Sequence, residues 1–385
     1  MNARERFLAI AKFEKPDMVP VSGGPRKATL ERWHAEGLPI DADLSTYFKF
    51  EPGGGITSYP SEGFEYTWDK HHSDGVNIGP HPPFEYKTIE ENDRYWVWID
   101  GLGIKQRGFK DDWEGGWSGF ATRQFLEFPV RDRSSFMEMK RRYEPLISER
   151  YPENWGELVK ELEQRDYPLC VSMRGPFWWT RDMMGLSNML LMMYKDPGLI
   201  HEIMEFCAEF QTAVLEKALS EVDADWAMLN EDMAYKKGPM ISPQAFREFM
   251  FGPYRAICDF LKGHGVDLII VDSDGNPEPL IPVWLEAGIR GVSPCEIAAG
   301  MEPARLRGNY PNLILMGGID KRALTKDKEE IEREVLSKVP HMIDIGGYFP
   351  GVDHGVPPDI SLANFKYFLN FTRRLCGCPE EYMIP

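Results

Sequence analysis

The sequence has few of the features that mark disulfide-stapled, secreted or membrane proteins. Its 385 residues include only six cysteines, and none forms a C-x-x-C pair, so neither a zinc knuckle nor a disulfide framework is indicated. No apolar run approaches the length that spans a bilayer, and the charged N-terminal stretch lacks the apolar core of a signal peptide. No short repeat or low-complexity segment is visible. We therefore expect a cytoplasmic protein with no membrane partner.

Positive charge is also in short supply. Lysine and arginine number 44 against 61 acidic residues, which gives a formal net charge of −17 and argues against binding to nucleic acid or to an anionic membrane surface. Apolar residues make up 43% of the chain, enough for a large core. The length would allow two domains, but α/β barrels with insertions often reach it as one unit. We predict a single domain over residues 1–385.

The stretch 266–276, VDLIIVDSDGN, is the most informative part of the chain. A short apolar run that ends in acids and a glycine is typical of a buried strand whose carboxyl end opens into a functional loop. Asp272 and Asp274 are two residues apart, so on an extended backbone they share one face. Two carboxylates this close need a cation, a shared proton or a substrate group between them. The alternative is that one of them caps a helix or binds amides in the turn.

Strands and helices alternate regularly after residue 132, which favours a parallel sheet. With Met18–Val21 as the first strand, the number of units predicts an α/β protein with a (β/α)8 TIM barrel. From about residue 48 to 128, glycine, proline and aromatic residues dominate instead, and we predict an N-terminal β-rich, aromatic insertion there. Its tryptophans, which include Trp96, Trp98, Trp113 and Trp117, are expected in core or lid packing.

Polar side chains follow almost every predicted strand, which is the pattern of a ring-shaped pocket at the carboxyl ends of barrel strands. This candidate set comprises Arg26, Arg174, Asn230, Glu231, Asp232, Asp272, Asp274, Cys295, Glu296, Asp320, Asp353 and His354. Helix caps would explain Asp320 and, as an alternative, Asp232. Cys295 is interpreted as a small buried residue rather than a ligand.

Five segments resemble the uroporphyrinogen decarboxylase superfamily. They are RERFLAIAKFEKPDMVPV, RGPFWWTRDMMGL, NEDMAYKKGPMISP, GGIDKRAL and GGYFPGVDHGVPPDISLANFKYF, and they occur in the family's order over nearly the whole chain. The resemblance implies a (β/α)8 barrel and two candidate chemistries, decarboxylation of porphyrinogens and methyl transfer to or from a corrinoid protein. The third and fifth segments look more like the methyltransferase-type branch. The arginine-bearing segment of the porphyrin enzyme is missing, and GGPRK offers only Arg26 near its place.

The zinc motif of the thiol-methylating members is also missing. Asp272-Ser273-Asp274 occupies the place of its His-x-Cys, and His354 falls near its downstream cysteine. Asp272, Asp274 and His354 could hold a divalent metal such as zinc that polarises an oxygen, or no metal, in which case one aspartate keeps a proton and acts as an acid. The resemblance therefore favours transfer of a methyl group from a methoxylated, aromatic substrate to cobalamin on a partner corrinoid-binding protein.

Under this hypothesis Glu231 and Tyr235 orient the substrate's phenol, Arg174 binds a ring carboxylate, and Trp178 and Trp179 wall the ring. The predicted catalytic set is Asp272, Asp274, His354 and Glu231, and the predicted substrate-binding set is Arg174, Trp178, Trp179, Tyr235, Arg26 and Asp353. A decarboxylase of a tetrapyrrole or small acid is the alternative, with the arginines holding carboxylates and Asp274 protonating a carbanion. A non-catalytic binding barrel is a third hypothesis, and a homodimer is left open.

Overall fold

A curled, parallel seven-stranded sheet forms the centre of the computed structural model, which describes residues 1–59, 75–109 and 123–385. Its strands are β1 (Gly54–Gly55), β8 (Leu169–Arg174), β9 (Trp226–Asn230), β12 (Ile269–Asp272), β13 (Gly291–Ser293), β14 (Ile314–Ile319) and β15 (Tyr348–Val352), in that spatial order. Every neighbouring pair is parallel. Strand order thus follows chain order, as successive right-handed crossovers require.

The remaining described strands lie outside this sheet. They are β2 (Thr57–Ser58), β3 (Val76–Asn77), β4 (Lys87–Glu91), β5 (Tyr95–Ile99), β6 (Lys105–Phe109), β7 (Arg123–Glu127), β10 (Ala234–Tyr235) and β11 (Gly238–Pro239). Strands β4 to β7 form an antiparallel sheet in chain order, with Trp98 buried and the ring of Trp96 centred 5.7 Å from it. Trp113 and Trp117 lie outside the described residues. The interpretation of residues 48–128 as an insertion or lid stays a prediction.

Helices occupy most of the links between the parallel strands. They are α1 (Ala3–Ala11), α2 (Lys27–Ala35), α3 (Leu44–Phe48), α4 (Arg133–Lys140), α5 (Trp155–Glu163), α6 (Pro176–Met184), α7 (Leu186–Lys195), α8 (Pro197–Glu221), α9 (Pro243–Phe249), α10 (Phe251–Gly263), α11 (Ile281–Ala287), α12 (Pro303–Asn309), α13 (Lys328–Leu336), α14 (Val339–Asp344) and α15 (Leu362–Leu375). Their starts follow the usual rules. Proline is the first residue of α6, α8 and α9, where its missing N–H costs nothing, and Ser361 caps α15 by accepting from the N–H of Asn364.

The prediction of a first strand over Met18–Val21 is wrong, because these residues form no regular strand. The chain just beyond them makes isolated parallel bridges from Ser22 to Gly351 and from Pro25 to Val356, so it runs beside β15. The sheet with its flanking helices is therefore a mixed α/β structure consistent with a TIM-like barrel. Among the described residues, six of the strands in this sheet are strands that we predicted, and the seventh, β1, lies within the segment predicted as an insertion.

The core lies on both sides of the strands. In β12, Ile269, Ile270 and Val271 are fully buried, and burial ends at Asp272. An apolar strand that is covered on both faces is what a parallel sheet under helices requires. It anchors the acidic end of β12 rigidly, so the position of Asp272 is set by the core beneath it.

None of the helices in the described ranges has the length and apolar character needed to cross a membrane.

Candidate functional site

The carboxyl ends of β8, β9, β12 and β13 bring four polar residues into one row. Arg174 pairs in register with Asn230, Asn230 with Asp272, and Asp272 with Ser293. Residues in register on parallel strands point to the same face, so these side chains line one surface. The row is pinned at its centre, where the amide of Asn230 donates to the hydroxyl of Ser172 over 2.8 Å. The prediction that polar strand ends converge holds for this part of the sheet.

The carboxylate of Asp272 has little to stabilise its charge. It makes no hydrogen bond with the described residues, and burial raises its pKa to about 8, with further increases from the charges of Asp274 and Asp232 and only Arg174 acting in the opposite sense. A carboxyl group with a pKa in this range is largely protonated at neutral pH. Asp272 can therefore act as an acid under the conditions in which free carboxyl groups are ionised.

Asp274 and His354 meet across the mouth of the sheet, although 80 residues separate them in the chain. Nε2 of His354 lies 2.9 Å from Oδ2 of Asp274. The other ring nitrogen, Nδ1, accepts from the N–H of Gly355 at 2.6 Å and from Nη2 of Arg26 at 2.8 Å. Because both of these partners are donors, the hydrogen-bond network assigns the imidazole proton to Nε2, which donates it to Asp274. Both side chains stay partly exposed, at 22% for His354 and 41% for Asp274.

The turn after β12 is shaped for this arrangement. Gly275 has φ +79°, and a Cβ atom there would lie 2.7 Å from the backbone of Ala234 and Tyr235. Only glycine permits both the left-handed conformation and this approach. Its N–H donates to Oε2 of Glu296 over 2.8 Å, so another member of the predicted set holds the turn rather than facing a ligand.

Asp232 belongs to the site, although helix capping was an alternative explanation for it in the sequence. The next helix, α9, is capped by the hydroxyl of Ser242 instead. Asp232 has φ +41°, a strained backbone for a residue with a Cβ atom, and Arg181 donates to its carbonyl oxygen over 2.9 Å. Burial raises the pKa of Asp232, the charge of Asp274 adds to this, and Arg181 and His354 lower it. One feature of the sequence could have favoured a site role for Asp232: it follows the end of a strand, and no helix begins directly after it.

Glu231 differs from its predicted role as a group that orients the substrate. Its side chain is fully buried and turned toward the start of α6. The hydroxyl of Tyr254 donates to Oε1 over 2.6 Å, and the N–H of Trp178 donates to Oε2 over 2.9 Å. Burial raises its pKa to about 7, while these donors act against the increase. Glu231 therefore accepts a hydrogen bond from the first turn of α6, although it lies far from this helix in the chain. The sequence could not show that the first turn of α6 faces Glu231.

Asp353 also differs from its predicted role in substrate binding. It has no exposed surface. Its Oδ1 accepts from Nζ of Lys321 over 3.1 Å and from the N–H of the same residue, and its Oδ2 accepts from the N–H of Ile297. Burial raises the pKa of Asp353, and Lys321 lowers it. Asp353 therefore ties the loops after β13 and β14 to the end of β15.

Arg174 lies over two aromatic rings near this row. Its guanidinium carbon is 4.1 Å from the ring centroid of Trp178 and 4.4 Å from that of Tyr59. Trp178 thus stands at the site, whereas Trp179 is buried in the core, with its ring 4.7 Å from that of Tyr143. Tyr235 is 53% exposed in the short β10–β11 hairpin. Sequence reasoning missed Tyr59, which precedes residues 60–74 and carries no motif.

The three predicted metal ligands do not form a ligand cluster. Across the described ranges, no group of three or more His, Cys, Asp or Glu side chains is arranged to hold a metal ion. The Nε2 proton of His354 points at Asp274, so this nitrogen does not offer a lone pair beside the carboxylates. The divalent-metal option from the sequence does not fit these residues, and we derive no step through a metal.

Two other members of the predicted set have structural roles, as expected. Cys295 is fully buried, and burial raises the pKa of its thiol to about 12. Asp320 accepts from the N–H of Arg322 over 2.9 Å and pairs with its guanidinium, so it stabilises the turn after β14. Neither faces the row of strand ends.

A separate cavity of about 300 Å³ lies away from this site. Residues 145–148 and helix α8 line it, together with Tyr151 and Trp155. Its lining is mostly apolar, and its one charged residue, Lys217, is paired with Glu221. It contains none of the acids or the histidine described above, so it does not compete with the strand ends as a catalytic site.

Comparison with known proteins identifies the family of this chain. The sequence profile of uroporphyrinogen decarboxylase (URO-D) matches residues 147–375. Curated uroporphyrinogen decarboxylases from Sulfurovum sp. and Campylobacter hominis are 27% identical over 202 residues and 26% identical over 194 residues, covering 48% and 47% of this chain and 51% of each relative. The chain thus spans about half the length of the curated relatives it matches.

A solved methyltransferase from Methanosarcina mazei has the same overall fold. It superposes with a TM-score of 0.55 at 13% sequence identity, over 97% of this chain and 99% of the other. The family profile covers more than half of the chain, includes every strand from β8 to β15, and agrees with the motifs read from the sequence. The chain belongs to the uroporphyrinogen decarboxylase family.

Proposed function

We propose that this protein is a methyltransferase that moves a methyl group from a methoxylated aromatic substrate to the cobalamin of a partner corrinoid protein. The observation that carries the proposal is the placement of Asp272 at the end of β12, beside two further aspartates and with no hydrogen-bond donor to its side chain among the described residues. The solved neighbour with the same fold is described as a methyltransferase, which supports the choice within the family.

The leaving group explains why such an acid is needed. A phenolate is a poor leaving group at neutral pH, because phenol titrates near pH 10. Asp272 donates its proton to the ether oxygen while the bond from this oxygen to the methyl carbon breaks, and the bonding electron pair stays on the oxygen. Burial of Asp272, reinforced by the nearby carboxylates of Asp274 and Asp232, keeps the proton on Asp272 until an ether oxygen arrives.

A series of hydrogen bonds positions the carboxylate of Asp274 near Asp272. It runs from Arg26 through His354 to Asp274. His354 donates to Asp274, and Arg26 and Gly355 fix the histidine ring from its other side. A carboxylate held in this way keeps its place without a counter-ion in direct contact. We assign Asp274 and His354 to maintaining the protonated state of Asp272, rather than to contact with the methyl group.

The methyl acceptor comes from outside the chain. The reduced cobalt of a bound corrinoid would supply the electron pair that forms the new bond to the methyl carbon. Asp274 and His354 keep part of their surface exposed at the strand ends, which fits a reaction partner that approaches this edge of the sheet. The residues of this chain bind and orient the substrate and deliver the proton.

Methyl transfer from vanillate-like or guaiacol-like ethers to cob(I)alamin, followed by its change in absorbance, tests the proposal. The wild-type protein should transfer the methyl group, and Asp272→Asn should not do so at a comparable rate. Arg247→Gln is a matched control, because Arg247 on α9 forms an exposed ion pair with Glu286 on α11. No transfer with a panel of methoxylated aromatics and cob(I)alamin would refute the proposal.

Decarboxylation is the second candidate, because the curated relatives carry the name uroporphyrinogen decarboxylase. In that reaction Arg174 would hold a carboxylate, and an acid at the end of β12 would protonate the carbanion. Arg26 is less suited to this role, since its guanidinium is hydrogen bonded to His354. Release of carbon dioxide from a porphyrinogen, with no methyl transfer, would favour this candidate. Tight ligand binding with neither reaction would favour a binding protein.

A further inference from the structure

Arg174 differs from the neighbouring Arg181 in having no ion-pair partner among the described residues. Two arginines lie against the indole of Trp178, with guanidinium carbons 4.1 Å and 4.7 Å from the ring centroid for Arg174 and Arg181. Arg181 has Asp232 as its partner, 3.6 Å away. Arg174 makes no ion pair or side-chain hydrogen bond with the described residues. A guanidinium that stacks on aromatic rings and has no acceptor among the described residues can bind an anion from elsewhere.

The position of Arg174 is fixed by its surroundings. Its backbone N–H donates to Oε1 of Gln211 over 3.0 Å, and Nε2 of the same glutamine donates to its carbonyl oxygen over 2.8 Å. The Trp178 ring below the guanidinium is itself held, because its Nε1 donates to Asp182 over 3.1 Å. A side chain stacked on fixed rings loses little freedom on binding, which favours affinity for a ligand.

Register places this charge on the same face as the acid. Arg174 and Asp272 flank Asn230 in one row across three strands, so their backbones are about 10 Å apart at the strand spacing of parallel sheets. A ligand anchored on Arg174 that extends along this face reaches Asp272. An aromatic ring that carries an anionic group and an ether at different positions could place the anionic group at Arg174 and the ether oxygen at Asp272.

We infer that Arg174 is the anchor for a carboxylate on the aromatic ring of the substrate, so that the substrate is a methoxylated aromatic acid. The methoxy group in this inference rests on the proposed function. The carboxylate does not, because it is inferred from the surroundings of Arg174 alone. A planar guanidinium binds a carboxylate through two parallel hydrogen bonds. A doubly charged phosphate is disfavoured, because Asp232 and Asp274 stand nearby and the chain carries a net charge of −17.

Calorimetric titration with a matched pair of ligands tests the inference. The pair is 4-methoxybenzoate and 4-methoxybenzamide, which share their shape and differ in charge. Wild-type protein should bind the acid at least tenfold more tightly than the amide. Arg174→Gln should remove this preference by weakening the binding of the acid more than that of the amide, and Arg174→Lys should restore part of the preference, because it returns the charge without the planar fork. Arg247→Gln should bind as the wild type does.

The outcomes separate the two proposals. If wild-type protein binds acid and amide equally, or binds neither, or if Arg174→Gln keeps the preference, the assignment of Arg174 is wrong. If acid preference depends on Arg174 but no methyl group reaches cob(I)alamin, the carboxylate site stands and the proposed methyl transfer fails. If Arg174→Gln does not fold, the comparison of Arg174→Lys with wild type decides, and an unchanged ratio of acid to amide affinity would overturn the inference.

Discussion

Two groups of carboxylates share the same edge of the sheet and have opposite surroundings. Glu231 and Asp353 are fully buried, and each accepts hydrogen bonds on both oxygens. Asp272 and Asp274 keep some exposure, and no residue in the described ranges donates a hydrogen bond to the side chain of Asp272. The comparison shows that a place at a strand end does not decide whether an acid is structural or reactive. The donors aimed at it decide this.

The two groups also differ in what opposes the effect of burial on their pKa values. Burial raises the pKa of Glu231 and of Asp353, and neighbouring donors or Lys321 counteract it. At Asp272 burial and two like charges act together, and the one opposing influence is Arg174. Glu231 and Asp353 are therefore tied to the scaffold, whereas the proton of Asp272 is available to a ligand. Removing members of each group should separate stability from turnover.

The largest expected effect is on turnover in Asp272→Asn. Loss of a positioned acid typically costs about 10²- to 10⁴-fold in rate, and the amide should fit the space without unfolding the protein. Wild-type activity should fall as the pH rises through about 8, because Asp272 then loses the proton it must donate. This decline should be missing from the residual activity of the variant. Rates of methyl transfer between pH 6 and 9 measure both effects, and a rate close to wild type would remove Asp272 from the mechanism.

Asp353→Ala should cost stability rather than chemistry. It leaves Nζ of Lys321 and two backbone N–H groups without their acceptor, and breaking a buried pair costs about 3 kcal/mol or more. Chemical denaturation should show this loss in the free energy of unfolding, while turnover per folded molecule stays within about threefold of wild type. An equal loss in Asp320→Ala, whose carboxylate is paired at a turn with an exposed arginine, would show that the buried contacts have no special weight.

The parallel sheet was predictable because apolar strands ended in polar residues at regular intervals. The run Ile269–Val271 is buried as expected, and register then forces Arg174 and Asp272 onto one face. The pairing of Asp274 with His354 was predicted only as a cluster at the mouth. Its partners, Arg26 and the N–H of Gly355, depend on how the last loop folds back on the first one, which no local pattern encodes.

The roles of Glu231 and Asp353 could not be predicted for the same physical reason. A glutamate after a strand looks alike in the sequence whether it faces a ligand or the first turn of α6. The deciding donors, Tyr254 and the N–H of Trp178, lie 23 and 53 residues away in the chain. Asp232 was given an alternative role as a cap because capping is common, and the structure shows that Ser242 caps the helix instead.

Glu231→Gln should have a smaller effect that depends on pH. The raised pKa of Glu231 means that the folded protein holds this proton more tightly than the unfolded chain does. The associated stability is present below pH 4.5 and is lost as the pH rises through about 7, a change of up to about 3 kcal/mol. The variant loses a hydrogen bond at every pH but lacks this titration. Its deficit in unfolding free energy should therefore shrink between pH 5 and pH 8, and a constant deficit would contradict the prediction.

Asp274→Asn should give the smallest of these effects, with a distinctive pH signature. The amide oxygen can still accept from Nε2 of His354, so the mouth should keep its geometry. Loss of the negative charge should lower the pKa of Asp272, because Asp274 is one of the groups that raise it. Activity at pH 8 should fall several-fold, and the decline in the pH–rate profile should move to lower pH. Double substitution with Asp272→Asn sharpens the comparison. If Asp274 acts only through the proton of Asp272, the second change should cost almost nothing once Asp272 is replaced, whereas full additivity would assign Asp274 a direct role of its own.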